Sequence, residues 1–442
     1  MITDLSVSRA SVMPSIAIFL RMFVLFIFIS SAPALRAEIS LEALQKIVQA
    51  QGEQIARLQS QLNATRTDLG EAKETLKGTK AELSSTVAYL EEQTDTSSAG
   101  SWWDRTSVGG YGEIHYNNVE ADDSSRDKKE TDIHRYVLFV NHEFNERVRF
   151  YSEFEIEHGL VKDTASGSNG GEVEIEQAYI ELDLNENHQA KAGLFLVPVG
   201  ILNETHEPPT FYGVERNSVE NIIMPATWWE NGLALSGQYG NGLSWDFAVH
   251  SGLEVPTTGS SAIRIRSGRQ KSSHALAEDL AYTARLSYSG IPGLQLSTSY
   301  QHQTDLSQMS GDGVEDANLV TAHAIFNRGG FQFRALWADW DIDGALAAFT
   351  GADEQSGWYV EPSYRFRTPE LKLLESLGIY TRFEHVEGIR SQDQFEQWEF
   401  GINLWPTDNV VFKIDYRDRE HDLAAARGRD FKSIDLGVGF QF

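Results

Sequence analysis

From about residue 107 to Phe442, apolar and polar side chains alternate with a period of two in segment after segment, and no other feature constrains the fold as strongly. In the final stretch Ile434, Leu436, Val438, Phe440 and Phe442 share one parity, while Asp435, Gly437, Gly439 and Gln441 share the other. In 410–417, Val410, Phe412, Ile414 and Tyr416 alternate with Val411, Lys413, Asp415 and Arg417. Successive side chains of a strand point to opposite faces, so each segment presents one apolar and one polar face. Sixteen segments fit, near 107–117, 132–143, 147–158, 173–184, 188–197, 228–239, 243–250, 280–288, 294–303, 317–326, 331–340, 357–366, 378–387, 397–405, 410–417 and 433–442. Two are irregular. The apolar set of 173–184 changes parity around Gln177, which suggests either a bulge or a wrongly assigned strand, and 132–143 places Val137 and Phe139 on its polar face.

The connections fall into two classes that alternate. Short ones are "FNER", "NENH", "GNG", "SGIPG", "NRGG" and "PTDN", with 367–377 a longer member; long ones lie at 118–131, 159–172, 198–227, 251–279, 304–316, 341–356, 388–396 and 418–432. An even number of two-faced strands with alternating short and long loops describes a closed antiparallel transmembrane β-barrel. Lipid offers no hydrogen-bond partner, so a spanning sheet must close on itself. A soluble β-sandwich also alternates, but it requires neither the two loop classes nor a closing strand that ends on an aromatic. The final strand resembles the closing strand of outer-membrane barrels, which ends on an aromatic, and that resemblance implies that Phe440 and Phe442 form the signal read by the barrel assembly machinery. Trp228, Trp229, Tyr288, Tyr300, Phe366 and Tyr416 stand near strand ends, where interfacial aromatic girdles are expected.

The N-terminal quarter has a different character. Arg9 and Arg21 precede the apolar run "MFVLFIFIS" and the small residues of "SAPALRA", the layout of an export signal spanning 1–37, cleaved after Ala34 or Ala37. That run is roughly half of the ~20 residues a membrane anchor needs. Over 38–95, Leu41, Val48, Ile55, Leu62, Leu69, Leu76, Leu83 and Leu90 recur every seventh residue, with Leu44, Gln51, Leu58, Thr65, Ala72, Thr79 and Thr86 three residues after the first seven. These columns read as a and d of a coiled-coil stalk, expected in the periplasm. The other reading is one amphipathic helix packed on its own domain; ~50 helical residues would run about 75 Å. A linker, 96–106, then leads to the barrel domain, 107–442.

Composition excludes several functions. The formal charge of −27 argues against nucleic acid as a partner. With no cysteine, disulfides, thiol nucleophiles and Cys-based zinc sites are ruled out. There is no HExxH, no Gly-rich phosphate loop and no Ser-His-Asp constellation, and the twelve histidines are scattered without ligand spacing. No enzyme activity, cofactor or metal is expected.

A barrel of sixteen strands is wide enough for an aqueous lumen. The polar parity predicts lumen bases at Arg135, Arg149, Lys191, Arg285, Arg334, Arg365, Arg382, Lys413 and Arg417. Lumen acids are predicted at Glu113, Glu153, Glu155, Glu157, Glu174, Glu176, Asp246, Glu361, Glu384, Glu399 and Asp415. The near balance of signs suits small polar solutes and gives no single-sign ring of the kind that fixes ion selectivity. The connection 198–232, "PVGILNETHEPPTFYGVERNSVENIIMPATWWENG", is long yet rich in Pro, aromatic and aliphatic residues, and such a loop should not stand free in water. It is expected to fold inward as a constriction loop with Glu204, Glu207, Tyr212, Glu215 and Arg216, or else to pack on a neighbouring subunit. "RIRSGRQK", with Arg264, Arg266, Arg269 and Lys271, could draw anions to the mouth, or be a solvated loop or a lipopolysaccharide contact.

"GYGEIHYN", "HRYVLFVNHEFNERVRFYSEFEIEH", "GEVEIEQAYIELDLN", "KAGLFLVPVGILNETHEPPTFYGVERNSVE" and "TWWENGLALSG" resemble the phosphate-selective porin O and P family, closely over 107–250 and more loosely beyond. The resemblance implies a sixteen-stranded outer-membrane porin, usually a homotrimer, with a constriction loop and, in some members, an N-terminal coiled coil. It also implies a ladder of arginines and a few pore lysines behind phosphate selectivity, without assigning that ladder to residues here. The expectation is an outer-membrane porin passing small hydrophilic solutes or ions, with phosphate open. The alternative is a tether from outer-membrane lipid to peptidoglycan through the stalk.

Overall fold

The structure, a computed structural model, describes residues 102–159, 163–164, 167–168, 170–309 and 315–442, together with the single helical residues Gln49, Gln59 and Lys73. The export signal expected at 1–37 and the coiled coil expected over 38–95 lie outside the described residues, those three apart.

The strands are β1 (Thr106–Ala121), β2 (Lys128–Asn145), β3 (Val148–Glu157), β4 (Asp163–Thr164), β5 (Gly167–Ser168), β6 (Val173–Asn185), β7 (His188–Leu196), β8 (Trp229–Gln238) and β9 (Leu243–His250). They continue as β10 (Ala281–Ile291), β11 (Leu294–Gln303), β12 (Asp316–Arg328), β13 (Phe331–Asp343), β14 (Glu354–Arg367), β15 (Ser376–Glu387), β16 (Gln394–Thr407), β17 (Val410–His421) and β18 (Phe431–Gln441). Strands β4 and β5 form a small hairpin within the β3–β6 connection; the other sixteen close an all-antiparallel barrel, each paired with its chain neighbours and β18 with β1. Two short helices, α1 (Ser218–Ile222) and α2 (Ala345–Thr350), lie in long loops.

The seam follows from the final alternation. Ile434 and Leu436 are exposed on the outer face, while Ser433 and Asp435 are buried inside. Phe442 exchanges both backbone hydrogen bonds with Gly110, at 2.9 Å each. Closure leaves no sheet edge. Outward residues such as Leu233, Phe247, Leu286 and Phe412 are exposed, as a lipid-facing surface requires.

Both irregular segments are bulged. β2 shifts register between Glu113↔Arg135 and Ile114↔Ile133, leaving His134 as the extra residue. β6 shifts between Glu153↔Gln177 and Phe154↔Ile175, leaving Glu176 extra. A bulge lets two successive residues face the same side. His134 and Arg135, and likewise Glu176 and Gln177, accordingly turn inward together.

Several expectations need correction. Strand pairing runs beyond the point where alternation fades, so the first long connection shrinks from 118–131 to 122–127 and that of 388–396 to 388–393. Trp228 and Trp229 are buried at 0% and 4% exposure, and Trp228 Nε1 donates to Glu230 at 2.9 Å, so neither belongs to a girdle; Tyr288, Tyr300, Phe366 and Tyr416 do lie on the outer face. The interior is not polar throughout. Val197, Val199, Ile201, Val219, Ile223, Met224 and Trp228 of one loop and Leu253, Val255, Ile263 and Ile265 of another pack against Leu319, Leu336, Trp340, Tyr359 and Phe395 of the wall. Side chains on the inward parity stay apolar where loops, rather than water, cover them. Burial of this kind is worth roughly 25 cal/mol per Å2.

Candidate functional site in the barrel interior

The loop between β7 and β8 crosses the barrel and reaches strands far from its own. Arg334 Nη2 donates to Thr210 O at 2.8 Å, Lys413 Nζ to Gly213 O at 2.7 Å and Trp340 Nε1 to Ile223 O at 2.7 Å. Ser218 N donates to Glu384 at 2.6 Å and Val214 N to Asp415 at 2.6 Å. The loop's own polar backbone is thus satisfied by side chains of the opposite wall, as a buried segment requires. Tyr212 packs on Tyr380 and Trp405, with ring centroids 5.1 and 5.6 Å away. Glu207 is half-buried at the start of a turn over Pro208–Thr210.

The wall charges are mostly paired. Arg382, 2% exposed, meets Glu361, Glu384 and Glu399 at 3.0, 2.7 and 2.6 Å. Arg417 meets Asp435 at 2.8 Å, and Arg149 meets Glu181 and Asp183 at 2.9 and 2.5 Å. Arg135 lies 2.7 Å from Glu113 and 3.4 Å from Glu155. Lys191 lies over the Tyr179 ring, 4.0 Å from Glu181. Arg365 pairs with Asp408 at 2.6 Å and covers the Trp405 ring. Glu153 is 3.4 Å from His206 of the loop. Arginine pairs of this kind lock the wall but leave little charge free for a solute.

Two of the cavities on the β1–β9 side bring wall and loop charges together. One, of about 660 Å3, opens toward the short turns and is lined by Arg147, Lys191, Glu204, Asp246 and Arg285. There Arg285 bridges Asp246, at 2.8 Å, to Glu204 of the crossing loop. The other, of about 320 Å3, opens toward the long loops between β1, β2, β3 and β6 and the two inward loops.

That second cavity holds the basic patch of the β9–β10 loop, which is not a solvated run. Arg266 donates to Asn221 O and Ala226 O at 2.8 and 2.7 Å, and Arg269 to Thr227 O at 2.6 Å. Lys271 pairs with Glu172 and Glu174. Burial works against its ammonium, yet hydrogen bonds to these two carboxylates hold its pKa above the ordinary value. Arg264 stands apart, 3.7 Å from Asp393. Arg216 of the crossing loop joins Arg266 and Arg269. Among the described residues these three have no carboxylate ion pair, and the buried Nε atoms of Arg216 and Arg269 have no hydrogen-bond partner. Burial, and then the charges of Arg269, Arg264 and Arg216, push the Arg266 guanidinium well below its ordinary pKa. Glu172, Glu174 and Glu176 face these bases.

Sequence reasoning missed one group in the same cavity: His115, His134 and His158, brought together from β1, β2 and the turn that follows β3. Their spacing along the chain is irregular because His115 lies on β1, His134 on β2 and His158 just past the end of β3, and the bulge at His134 cannot be placed from alternation alone.

The model of the family described as phosphate-selective porin O and P matches residues 108–442. An uncharacterized protein of Aquifex aeolicus (strain VF5) is 28% identical over 336 residues, 70% of this chain and 74% of that protein. Among solved structures, the fold is similar to an anion-selective porin from Comamonas acidovorans (10% identity, TM-score 0.51, 76% of this chain and 99% of that one). It is likewise similar to OmpF of Salmonella typhi in complex with daunomycin (13% identity, TM-score 0.53, 76% and 97%). At such identity the structural likeness speaks for the barrel alone, but the family match covers all of the barrel except the first two residues of β1: the chain belongs to the phosphate-selective porin O and P family.

Proposed function

We propose that this porin is an outer-membrane diffusion channel for small hydrophilic anions, phosphate among them, with the β7–β8 loop narrowing the lumen. The observation that carries this is the trio Arg216, Arg266 and Arg269, in one cavity without carboxylate pairs among the described residues. Like charges held together in a partly dry site are stabilised by a mobile anion, and planar guanidinium groups suit oxyanions. The facing row Glu172, Glu174 and Glu176 keeps the field transverse and the net attraction moderate, so an anion can leave as well as enter. The family's name and the anion-selective relative in Comamonas acidovorans are in keeping with this reading. Homotrimer assembly, contact with lipopolysaccharide and recognition of Phe440 and Phe442 by the barrel assembly machinery belong to the same proposal. The tether reading depends on a stalk outside the described residues, and no feature of the barrel favours it.

The test is the reversal potential of the purified protein in a planar bilayer under a KCl gradient. The wild type should show stepwise openings and anion preference, and the double variant Arg266→Gln/Arg269→Gln should shift the reversal potential toward cations. A barrel that inserts but stays silent would sink the channel reading, and an unmoved reversal potential would sink the role of the arginines.

A further inference from the structure

We infer that the same vestibule carries a binding site for a divalent first-row transition-metal ion, built from Asp132, His134 and His158. Asp132 Oδ2 lies 2.7 Å from His158 Nδ1 and 3.3 Å from His134 Nδ1. Ligands bound at about 2.0–2.1 Å around one ion are separated by about 3 Å, so these are the edge lengths of a coordination polyhedron. The three ligand atoms lie within 4.8 Å of one another.

A second observation points the same way. His115, 3% exposed, stacks on His134 with ring centroids 4.5 Å apart. Its buried Nδ1 makes no hydrogen bond, although Glu215 Oε1 of the crossing loop lies 3.3 Å away. His115, His134 and Glu215 thus form a second trio that meets the same 4.8 Å limit and shares His134 with the first. On its other side, His115 Nε2 is 3.3 Å from Glu113, a carboxylate behind an imidazole that fixes its ring orientation.

The backbone is shaped toward this cluster. The β2 bulge turns His134 inward beside Arg135, and His158 sits at φ 55°, in a region few non-glycine residues enter. Two imidazoles and one carboxylate suit Zn2+, Ni2+, Cu2+ or Co2+ rather than Ca2+ or Mg2+, which prefer all-oxygen shells. His158 is half-exposed, and the cavity offers an entry path from the long-loop end.

Zn2+ is the probe. Isothermal titration of the full-length protein in detergent should show saturable binding that weakens by more than about tenfold in His158→Ala and in Asp132→Asn. His158 follows the end of β3 and is exposed, so its replacement leaves the wall intact; His188→Ala, at the far end of the barrel, should bind as the wild type does. No saturable binding, or binding unchanged in both His158→Ala and Asp132→Asn, would overturn the site. Binding is measured without any current, so the site and the channel reading fail separately. Where openings are recorded, Zn2+ should lower the wild-type current and leave that of His158→Ala unchanged; a block that persists in His158→Ala also counts against the site.

Discussion

At the scale of single residues, Glu220 holds the crossing loop in its fold. It is 1% exposed, and its Oε2 accepts from Ile201 N and Leu202 N at 2.8 and 2.7 Å. Its Oε1 accepts from Asn217 Nδ2 and from the Tyr359 hydroxyl, both at 3.0 Å. Four donors converge on one carboxylate. Glu220→Ala should leave them unpaired in a buried site, at about 1–3 kcal/mol for each group orphaned. The expected outcome is faster amide exchange at Ile201 and Leu202, with strand amides still protected; unchanged protection at those two amides would contradict it. Residue identity on the sequence made Arg382 and Arg417 legible as inward bases. It did not make Glu220 legible, since nothing along the chain distinguishes it from the other loop acids. Its role is set by Tyr359, which is 139 positions away.

At the scale of elements, a loop and a row of wall glycines fit together. A side chain at Gly439 would bring its Cβ within 2.4 Å of Pro208, and one at Gly378 within 2.5 Å of the Tyr212 hydroxyl. Such separations are below any real contact, so these glycines clear the groove in which 208–214 lies. In "GVGF" the inward parity is glycine because the space is already taken by the loop. Gly439→Leu leaves the lipid face untouched, so the barrel should still assemble, but the loop must move away from β18. Single-channel conductance should rise, with barrel closure checked by heat-modifiable gel mobility. An unchanged conductance in an assembled variant would show that this loop does not set the pore width. The inward course of the loop was legible from its apolar composition. Its seat was not, because a glycine on a strand reads equally as a bulge, a bend or a place of close approach.

At the scale of the whole molecule, closure is the condition for existence in lipid. β18 completes the cylinder through ten residues paired with β17 and a seam to β1 that ends at Phe442 and Gly110. Phe442→Asp should impair insertion more than any loop substitution, read as loss of the heat-modifiable form in the membrane fraction; normal assembly would contradict this. What the sequence by itself determined is the barrel. All sixteen strands, their alternating faces and their two classes of connection follow from a local period of two, together with the need of a membrane-spanning sheet to pair every amide. What only the tertiary structure decided is the distribution of the interior. Which inward residues meet water and which meet an apolar loop, which arginines pair with carboxylates and which, among the described residues, do not, and how His115, His134 and His158 come together depend on two loops folding across the lumen and on two one-residue bulges. Those are contacts between residues distant along the chain, and a periodicity that records only a residue's own face cannot report what lies opposite it.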